Sequence, residues 1–348
     1  MGLKKDYSNI LSMITQPAFI VSQGKILCCN EQCRPFLPST DVALPALLIT
    51  GKEEYEAFTK GCLCLQLQLA GRHWEAAVTC LEDVHVFRLQ EPGIPPELKA
   101  MSLMSRQLRQ NISTLSILAN RIHLESPEGD IFRREISRIH RMLNNVSNTE
   151  YYLSGAVPSM EETDLRAVLQ ELTEEAVPLL EQAGFHLEVS LPDHRVFALA
   201  DARGIRQSVY NLLSNAAKYS PTGGTIVCKV IADKHQLRVS ITNEGTETTT
   251  QQPQLFSRYT RQPTLEENRN DLGLGLALVR AVASAHNGCV LWDTPKNTHT
   301  RITLTVALTQ PTESTMRSPT KSILVSSANE GLIMLSDVLP PKAYQHML

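Results

Sequence analysis

The chain has 348 residues, and 33 Lys and Arg against 36 Asp and Glu give it a formal net charge of −3 at pH 7. This length allows two or three domains with substantial cores. No strongly basic block is present, which argues against general nucleic-acid binding. No apolar run approaches the ~18 residues of a membrane helix, and the first residues lack the apolar core of a signal peptide. We therefore expect a cytoplasmic protein with no membrane span.

The eight cysteines are distributed unevenly along the chain. Those in the first quarter are Cys28, Cys29, Cys33, Cys62, Cys64 and Cys80. The favoured interpretation is that they are reduced thiols acting as small apolar side chains. A zinc site would show paired Cys-x-x-Cys or Cys/His spacings, which the sequence lacks. A cysteine-based redox or metal sensor stays open as an alternative.

Residues 1–93 have the pattern of a small α+β domain. The stretch Ala18–Asn30 predicts two strands joined by a tight turn. At 63–69, leucines alternate with cysteine or glutamine, which predicts a half-buried strand. Further strands are expected at 74–81 and 84–89. The order of these elements resembles a PAS domain, which implies that this part of the chain is a sensor.

Residues 97–154 change to a helical period after a Pro- and Gly-rich break. Two apolar seams step by three and four residues on either side of a break at 126–130. The first seam contains Leu98, Met101, Ser105, Leu108, Ile112, Leu115, Ala119 and Ile122, and the second contains Phe132, Ile136, Ile139, Leu143, Val146, Glu150 and Leu153. They predict an antiparallel helical hairpin that forms a four-helix bundle in a homodimer through residues 98–153. The alternative is a monomer whose hairpin packs on its flanking domains.

Residues 160–309 predict an α/β sandwich, with one mixed sheet under three helices. Helices are expected at about 164–182, 204–219 and 272–285, and strands at 185–191, 225–232, 236–243, 289–292 and 301–308. Residues 310–348 form a tail that starts Thr-, Ser- and Pro-rich and flexible. Its apolar content rises after Lys321, and we expect that part to dock back on the body.

The helix at 204–219 carries a polar edge. Asn211, Asn215, Lys218 and Tyr219 fall on one face at 3.6 residues per turn. Amide oxygens are suitable ligands for Mg²⁺, and an ammonium group suits a phosphate. The alternative is an ordinary solvated face.

Two further polar elements follow in the same domain. Asn243 and Gly245 end a predicted strand, and Gly273, Leu274 and Gly275 open the last long helix. Glycines at the start of a helix allow backbone amides to approach a phosphate, with help from the helix dipole. A single glycine pair is more often a packing feature, but the recurrence of three such elements in order favours a nucleotide site.

These stretches resemble the sequence boxes of histidine kinases. Asn211-Leu-Leu-Ser-Asn-Ala-Ala-Lys-Tyr-Ser220 is similar to their N box, and Leu255-Phe-Ser-Arg-Tyr-Thr-Arg261 to their F box. Asp271-Leu-Gly-Leu-Gly-Leu-Ala-Leu-Val279 is similar to their second glycine box. The resemblance covers about residues 98–309. It implies a Bergerat-type ATP-binding domain after a dimerisation hairpin, with ATP and Mg²⁺ as cofactors.

The resemblance also implies roles for single residues. Asn215 would bind Mg²⁺, Asn211 and Lys218 would face the phosphates, and Tyr219 would lie near the ribose. Gly273, Leu274 and Gly275 would frame the lid over the phosphates.

Other positions depart from the family pattern. Asn243 stands where the family has an Asp that accepts a hydrogen bond from adenine, so we expect weaker nucleotide binding. Glu247 and Asp271 replace glycines of the two glycine boxes.

The largest departure lies in the first helix of the hairpin. Ser105-Arg-Gln-Leu-Arg-Gln-Asn-Ile112 matches the family's phosphoacceptor box, with Arg106 in place of the histidine. A guanidinium stays protonated and cannot act as the nucleophile. Gln107 also replaces the neighbouring acid, and His123 and His140 are poorly placed to substitute.

We therefore expect a relative of the histidine kinases with doubtful autokinase activity, a pseudokinase that regulates or dephosphorylates a response-regulator receiver domain. Arg106 could pair with an acidic phosphorylation site on that partner. Gln110, one turn further on, could orient a water for hydrolysis. The alternatives are solvated roles for both side chains, a non-enzymatic dimeric scaffold, and the cysteine-based sensor.

Overall fold

The computed structural model describes residues 7–37, 43–121, 126–155, 158–245, 273–295, 298–308 and 330–345. The helices in these residues are α1 (Ser8–Ser12), α2 (Lys52–Glu56), α3 (Pro96–Arg121), α4 (Pro127–Leu153), α5 (Leu165–Gln182), α6 (Ala202–Tyr219), α7 (Leu274–Ala285) and α8 (Glu330–Met334). The strands are β1 (Ala18–Ser22), β2 (Lys25–Cys29), β3 (Cys62–Leu69), β4 (Arg72–Leu81), β5 (Val84–Gln90), β6 (Glu161–Asp164), β7 (His186–Ser190), β8 (Phe197–Ala200), β9 (Thr225–Ala232), β10 (Gln236–Glu244), β11 (Val290–Asp293) and β12 (His299–Ala307). None of these helices is both long and apolar enough to cross a membrane.

The N-terminal strands form an antiparallel sheet in the order β2-β1-β5-β4-β3. Tight turns at Gln23-Gly24 and Ala70-Gly71 join the hairpins, and all four of these residues have positive φ. Such backbone geometry matches the twist of the flanking strands. The strands predicted from residue periodicity in this region are confirmed.

The C-terminal strands form a mixed sheet in the order β11-β12-β10-β9-β7, in which only the β7–β9 pair is parallel. α5, α6 and α7 pack their apolar residues into one core with this sheet. An aspartate N-cap precedes each of α5 and α6. Asp164 accepts a hydrogen bond from the Ala167 N–H, and Asp201 accepts one from the Gly204 N–H, which stabilises the start of each helix. The sequence did not predict the small sheet of β6 and β8 beside them.

The two sheets are joined into one sheet of ten strands among the described residues. β3 pairs antiparallel with β11, with Cys62 opposite Trp292 and Cys64 opposite Val290. The prediction of a half-buried β3 is therefore wrong for its first half. The leucines of β3 face the N-terminal core, while Cys62 and Cys64 face the core of the C-terminal domain.

Side chains reinforce this junction on the β3 side. Arg280 of α7 forms an ion pair with Glu75 of β4 at 2.8 Å, and both side chains are only 11% exposed. Gln66 donates a hydrogen bond to the Ser284 hydroxyl. Gly61, with φ of 104°, precedes β3 where an added Cβ would overlap the Trp292 carbonyl oxygen. The close approach of the two backbones therefore requires glycine at this position.

α3 and α4 form the predicted antiparallel hairpin, and α4 also packs along α7. α4 reaches α6 through side-chain hydrogen bonds. Between the two hairpin helices, Arg109 donates hydrogen bonds to Asn144 and Ser147. At the base of the hairpin, Leu98, Val146 and Leu153 pack with α7. The hairpin therefore contacts its flanking domain and still leaves part of its apolar surface exposed.

Residues 330–345 contain α8 and a short 3₁₀ helix at Pro341–Tyr344. This segment contacts α4, α5 and α6. The Tyr344 side chain is fully buried, and its hydroxyl donates a hydrogen bond to the Leu332 carbonyl at 2.8 Å. The segment is therefore packed against the junction between the hairpin and the C-terminal domain.

Candidate nucleotide site

The polar edge of α6 is held by the apolar side of the same helix. Ile205, Val209, Leu212, Leu213 and Ala216 are buried in the core under the sheet. Their spacing of three and four residues fixes the rotation of α6 about its axis. The helix therefore presents Asn211, Asn215 and Lys218 along one side.

Asn211 is fully buried, whereas Asn215, Lys218 and Tyr219 are half-buried. Within the described part of the chain, the Asn215 amide has no hydrogen-bond partner. An available amide oxygen at this position fits the ligand chemistry of Mg²⁺.

The other two predicted elements meet α6. An added Cβ on Gly275 would lie 3.5 Å from the Asn211 Oδ1 atom, and one on Gly245 would lie 2.5 Å from the Tyr219 carbonyl oxygen. Gly245 has φ of 133°, a conformation that favours glycine. The end of β10, the start of α7 and the polar edge of α6 are thus brought together, as three separated stretches of sequence suggested.

Asn243 is buried at the end of β10. Its Nδ2 atom donates to the Glu244 carbonyl at 2.9 Å, and its Oδ1 atom accepts no hydrogen bond from any described residue. The amide oxygen is therefore available to an amino group of a ligand.

Gly273 is the N-cap of α7 and adopts a left-handed conformation, with φ of 66°. α7 has 12 residues, and its second residue, Gly275, lies next to Asn211 of α6. The Leu274 side chain is buried against α4, in contact with the apolar cluster of Val146 and Leu153. The Leu274 side chain thus packs the start of α7 against the hairpin.

α4 lies antiparallel to α6 and covers part of its polar edge. Asn145 and Arg141 are both within 3.5 Å of the Asn211 Oδ1 atom. Further along, Asn148 donates to Gln207 at 2.7 Å. Sequence reasoning missed these contacts.

A signal for the contact was present in α4. Arg141, Asn145, Asn148 and Tyr152 are spaced by four, three and four residues, which places them on one face of the helix. The Tyr152 hydroxyl donates to Asp201, the N-cap of α6. A polar stripe beside an apolar seam indicates a second helix contact with polar partners.

The residue at the phosphoacceptor position, Arg106, is 66% exposed and forms an ion pair with Glu150 of α4 at 3.1 Å. Ser102 donates a second hydrogen bond to the same carboxylate. Gln110, one turn further along α3, is exposed to solvent. Arg106 and Gln110 therefore lie on an accessible part of the hairpin.

The two other hairpin histidines, His123 and His140, do not occupy a position equivalent to Arg106. His140 is half-buried in α4, and its Nε2 atom lies 3.0 Å from the Ser116 hydroxyl. Burial, together with the charge of Arg109, lowers the pKa of His140. His123, the F box at 255–261 and residues 247 and 271 lie outside the described residues.

The cysteines show no metal-binding arrangement in the described ranges, which contain no cluster of three or more His, Cys, Asp or Glu side chains suited to a metal ion. Burial raises the pKa of the Cys228 thiol to about 12. Burial, with a smaller effect of Cys29, likewise raises the pKa of Cys33 to about 12. Thiols with such pKa values are poor nucleophiles at neutral pH.

A sequence profile described as histidine kinase-, DNA gyrase B- and HSP90-like ATPase matches residues 200–310. The adaptive-response sensory kinase SasA of Synechococcus sp. (strain JA-3-3Ab) is 25% identical over 290 residues, which cover 70% of this chain and 73% of SasA. The sensor histidine kinase MtrB of Mycolicibacterium paratuberculosis is 28% identical over 53% of this chain and 34% of MtrB. The sensor histidine kinase CusS of Escherichia coli (strain K12) is 39% identical over 25% of this chain and 18% of CusS.

Among solved structures, full-length ShkA in complex with AMPPNP aligns with 63% of this chain and 47% of its own, at 19% identity and a TM-score of 0.49. The matched residues 200–310 include α6, β10 and α7. Residues 200–310 thus match the histidine kinase-, DNA gyrase B- and HSP90-like ATPase family, and the chain is similar in sequence to sensor histidine kinases.

Proposed function

We propose that this chain binds Mg-ATP and regulates a response regulator without phosphorylating itself at the usual position. The observation that carries the proposal is the convergence of the α6 polar edge, the Asn243–Gly245 strand end and the Gly273–Gly275 helix start in a family ATPase domain. Each of these three elements was identified in the sequence from its own polar or glycine pattern. Their proximity supports one nucleotide site.

Within that site, Lys218 would hold phosphate oxygens and Asn215 would hold Mg²⁺. Asn211, whose side chain is fully buried against Arg141 and Asn145 of α4, would face the phosphates only after α4 moves away. The metal would offset the negative charge of the phosphates. Tyr219 would lie near the ribose, and the available Asn243 oxygen would accept a hydrogen bond from the adenine amino group. Because an amide lacks the charge of a carboxylate, the adenine contact is weaker than one made by Asp.

Arg106 supports the absence of autophosphorylation. Its guanidinium has no lone pair suited to attack on a phosphoryl group. Its exposure and its position beside Glu150 instead suit contact with a partner. An acidic phosphorylation site on a receiver domain is such a partner, because a guanidinium binds carboxylate and phosphate in a bidentate manner.

The hairpin also supports a homodimer. Large apolar side chains remain exposed on it, namely Leu103, Met104, Leu108, Leu115, Ile117, Leu118, Ile131 and Phe132. A second copy of the hairpin would bury them in a four-helix bundle. The N-terminal α+β unit, PAS-like in the order of its strands, would be the sensor of this dimer.

Nucleotide binding is tested by titrating the full-length protein with a fluorescent ATP analogue and Mg²⁺. Asn215→Ala should weaken binding, and the loss should shrink when Mg²⁺ is omitted. Asn111→Ala is the matched control, because Asn111 is an exposed asparagine on α3. Equal affinities for the Asn215 and Asn111 variants, with and without Mg²⁺, would contradict the site.

The regulatory activity is tested with a phosphorylated receiver domain. Gln110→Ala should slow the loss of phosphate, whereas Gln107→Ala, a change of a neighbouring exposed glutamine, should not. Equal rates for both variants and the unmodified protein would rule out a phosphatase role for Gln110. Acid-labile phosphate on the protein after incubation with labelled ATP would refute the absence of autokinase activity.

A dimeric scaffold without enzymatic activity is a second candidate. The observation that favours it is the contact of α4 with Asn211, which couples the hairpin to the polar edge of α6, hereafter the nucleotide face. In that case nucleotide binding would change the hairpin conformation without any phosphate being transferred or hydrolysed. Measuring free phosphate together with hairpin conformation would separate the two candidates.

A further inference from the structure

The C-terminal segment 330–345 reaches the residue that the proposed site uses for phosphate. The Asp337 carboxylate lies 2.6 Å from the Lys218 Nζ atom. It also forms ion pairs with Arg141 and, at 3.4 Å, with Arg138 of α4. One carboxylate thus bridges the hairpin and the nucleotide face of α6.

These three cations form a site suited to an anion larger than a carboxylate. Arg141 is 4% exposed, and its Nε atom is buried without a hydrogen-bond partner among the described residues. A buried donor without a partner is costly, and a phosphoryl group offers more acceptor oxygens than Asp337 does. Arg138 also pairs with Glu135 at 3.1 Å, so it is the buried Arg141 donor that fits a phosphate better than it fits Asp337 alone.

The space beside them is too small for a nucleotide in this conformation. A cavity of about 90 Å³ lies there, and its lining residues are Glu135, Arg138, Ile139, Arg141, Met142, Asn145 and Asp337. Sites for drug-sized ligands have volumes of roughly 300–1,000 Å³. A nucleotide would have to displace the segment from the cations.

The segment is anchored at a second point on α6. Arg206, which is almost fully buried, pairs with Glu330 at 2.8 Å and with Glu175 at 3.3 Å. The Gly331 N–H donates to Glu175 at 2.7 Å. These contacts hold α8 against α5 and α6 and place Asp337 at the far end of the α6 polar edge.

We propose that residues 330–345 are an intramolecular competitor of the nucleotide, in which the Asp337 carboxylate occupies the position of a phosphate at Lys218. This inference rests on the proposed nucleotide site and adds its regulation. Bound nucleotide and the docked segment exclude one another, so release of the segment opens the site at Lys218 and breaks the bridge that Asp337 forms between α6 and α4.

The test is the affinity of full-length protein for a fluorescent ATP analogue in the presence of Mg²⁺. Asp337→Asn removes the competing charge, and the affinity should rise about fivefold or more, the lower end of common coupling between sites. Asp193→Asn, a change in the exposed loop between β7 and β8, should leave the affinity unchanged. Glu330→Gln, which weakens the other anchor, should also raise the affinity.

A second measurement follows the segment itself. Hydrogen exchange of the 330–345 amides should increase on adding saturating Mg-ATP to the unmodified protein, and should increase in Asp337→Asn without nucleotide.

Unchanged or weaker binding by both the Asp337 and Glu330 variants, in protein that still binds nucleotide, would overturn the competitor and leave the nucleotide site standing. Exchange that stays unchanged at saturating Mg-ATP would also overturn it. Failure of every form to bind nucleotide would overturn the proposed site and the competitor with it.

Discussion

The ion pair between Glu75 and Arg280 offers a direct test of the joined sheet. The substitution Glu75→Gln keeps the shape of the side chain and removes its charge. It leaves the buried Arg280 guanidinium without this carboxylate charge, while Gln90 stays 3.5 Å away. Removal of one partner from a buried ion pair costs about 3–5 kcal/mol. Because Gln90 and the amide oxygen introduced by the substitution offer partial compensation, we expect a loss near the lower end, about 3 kcal/mol.

The two tryptophans of the chain make the assay specific to the junction. Trp74 lies in β4 and Trp292 lies in β11, and both side chains are buried. Urea unfolding of single-tryptophan proteins, carrying Trp74→Phe or Trp292→Phe, reports each side separately. In the single-tryptophan proteins that keep Glu75, the unfolding transitions reported by Trp74 and Trp292 should coincide if the sheet unfolds as one unit.

A matched control uses the exposed pair of Arg72 and Glu91, in which both side chains are 65% exposed. Glu91→Gln should change the free energy of unfolding by less than about 1 kcal/mol, as is common for surface pairs. A loss no larger for Glu75→Gln than for Glu91→Gln would refute the buried pair. Separate transitions in the parent proteins would refute the joined sheet as a cooperative unit.

Two further predictions concern backbone packing and pH. Gly61→Ala should lower the free energy of unfolding by more than Gly71→Ala does, and urea unfolding measures the difference. Both glycines have positive φ, which alone costs about 1–3 kcal/mol for alanine at either site. Of these two positions, only 61 would place the added Cβ against Trp292. Burial lowers the pKa of His286, opposed in part by its hydrogen bond to the Val282 carbonyl and by the charge of Asp201. Since the unfolded chain then binds the proton more tightly, the free energy of unfolding should fall as pH drops below about 6.5. Unfolding at pH 8 and pH 5.5 should show a smaller pH dependence for His286→Gln than for the unmodified protein, and an equal dependence would contradict the assignment.

The local elements of this chain were predictable because their causes are local. Capping by Asp164 and Asp201 and the alternation in β9 and β10 act over a few residues, so the pattern alone places the helices and strands. The three stretches of the proposed nucleotide site were also recognisable, since each carries its own polar or glycine pattern.

What joins those elements depends on residues far apart in the chain. The pairing of β3 with β11 uses backbone hydrogen bonds, which have no sequence signature. The one indication in the sequence was that Cys62 and Cys64, which are apolar, occupy the face of β3 on which Gln66 and Gln68 lie further along the strand. The ion pair between Asp337 and Lys218 depends on the position of a single carboxylate in the folded protein, which no local sequence pattern indicates.

The sequence by itself therefore determined most of the helices and strands, the polar edge of α6, and the presence of Arg106 at the position that resembles the phosphoacceptor. Only the tertiary structure decided that the two sheets become one and that α4 and the C-terminal segment cover part of the polar edge of α6. Periodicity and capping record a residue's local environment. Long-range pairing is set by complementary shape and charge between surfaces that the sequence does not place next to each other.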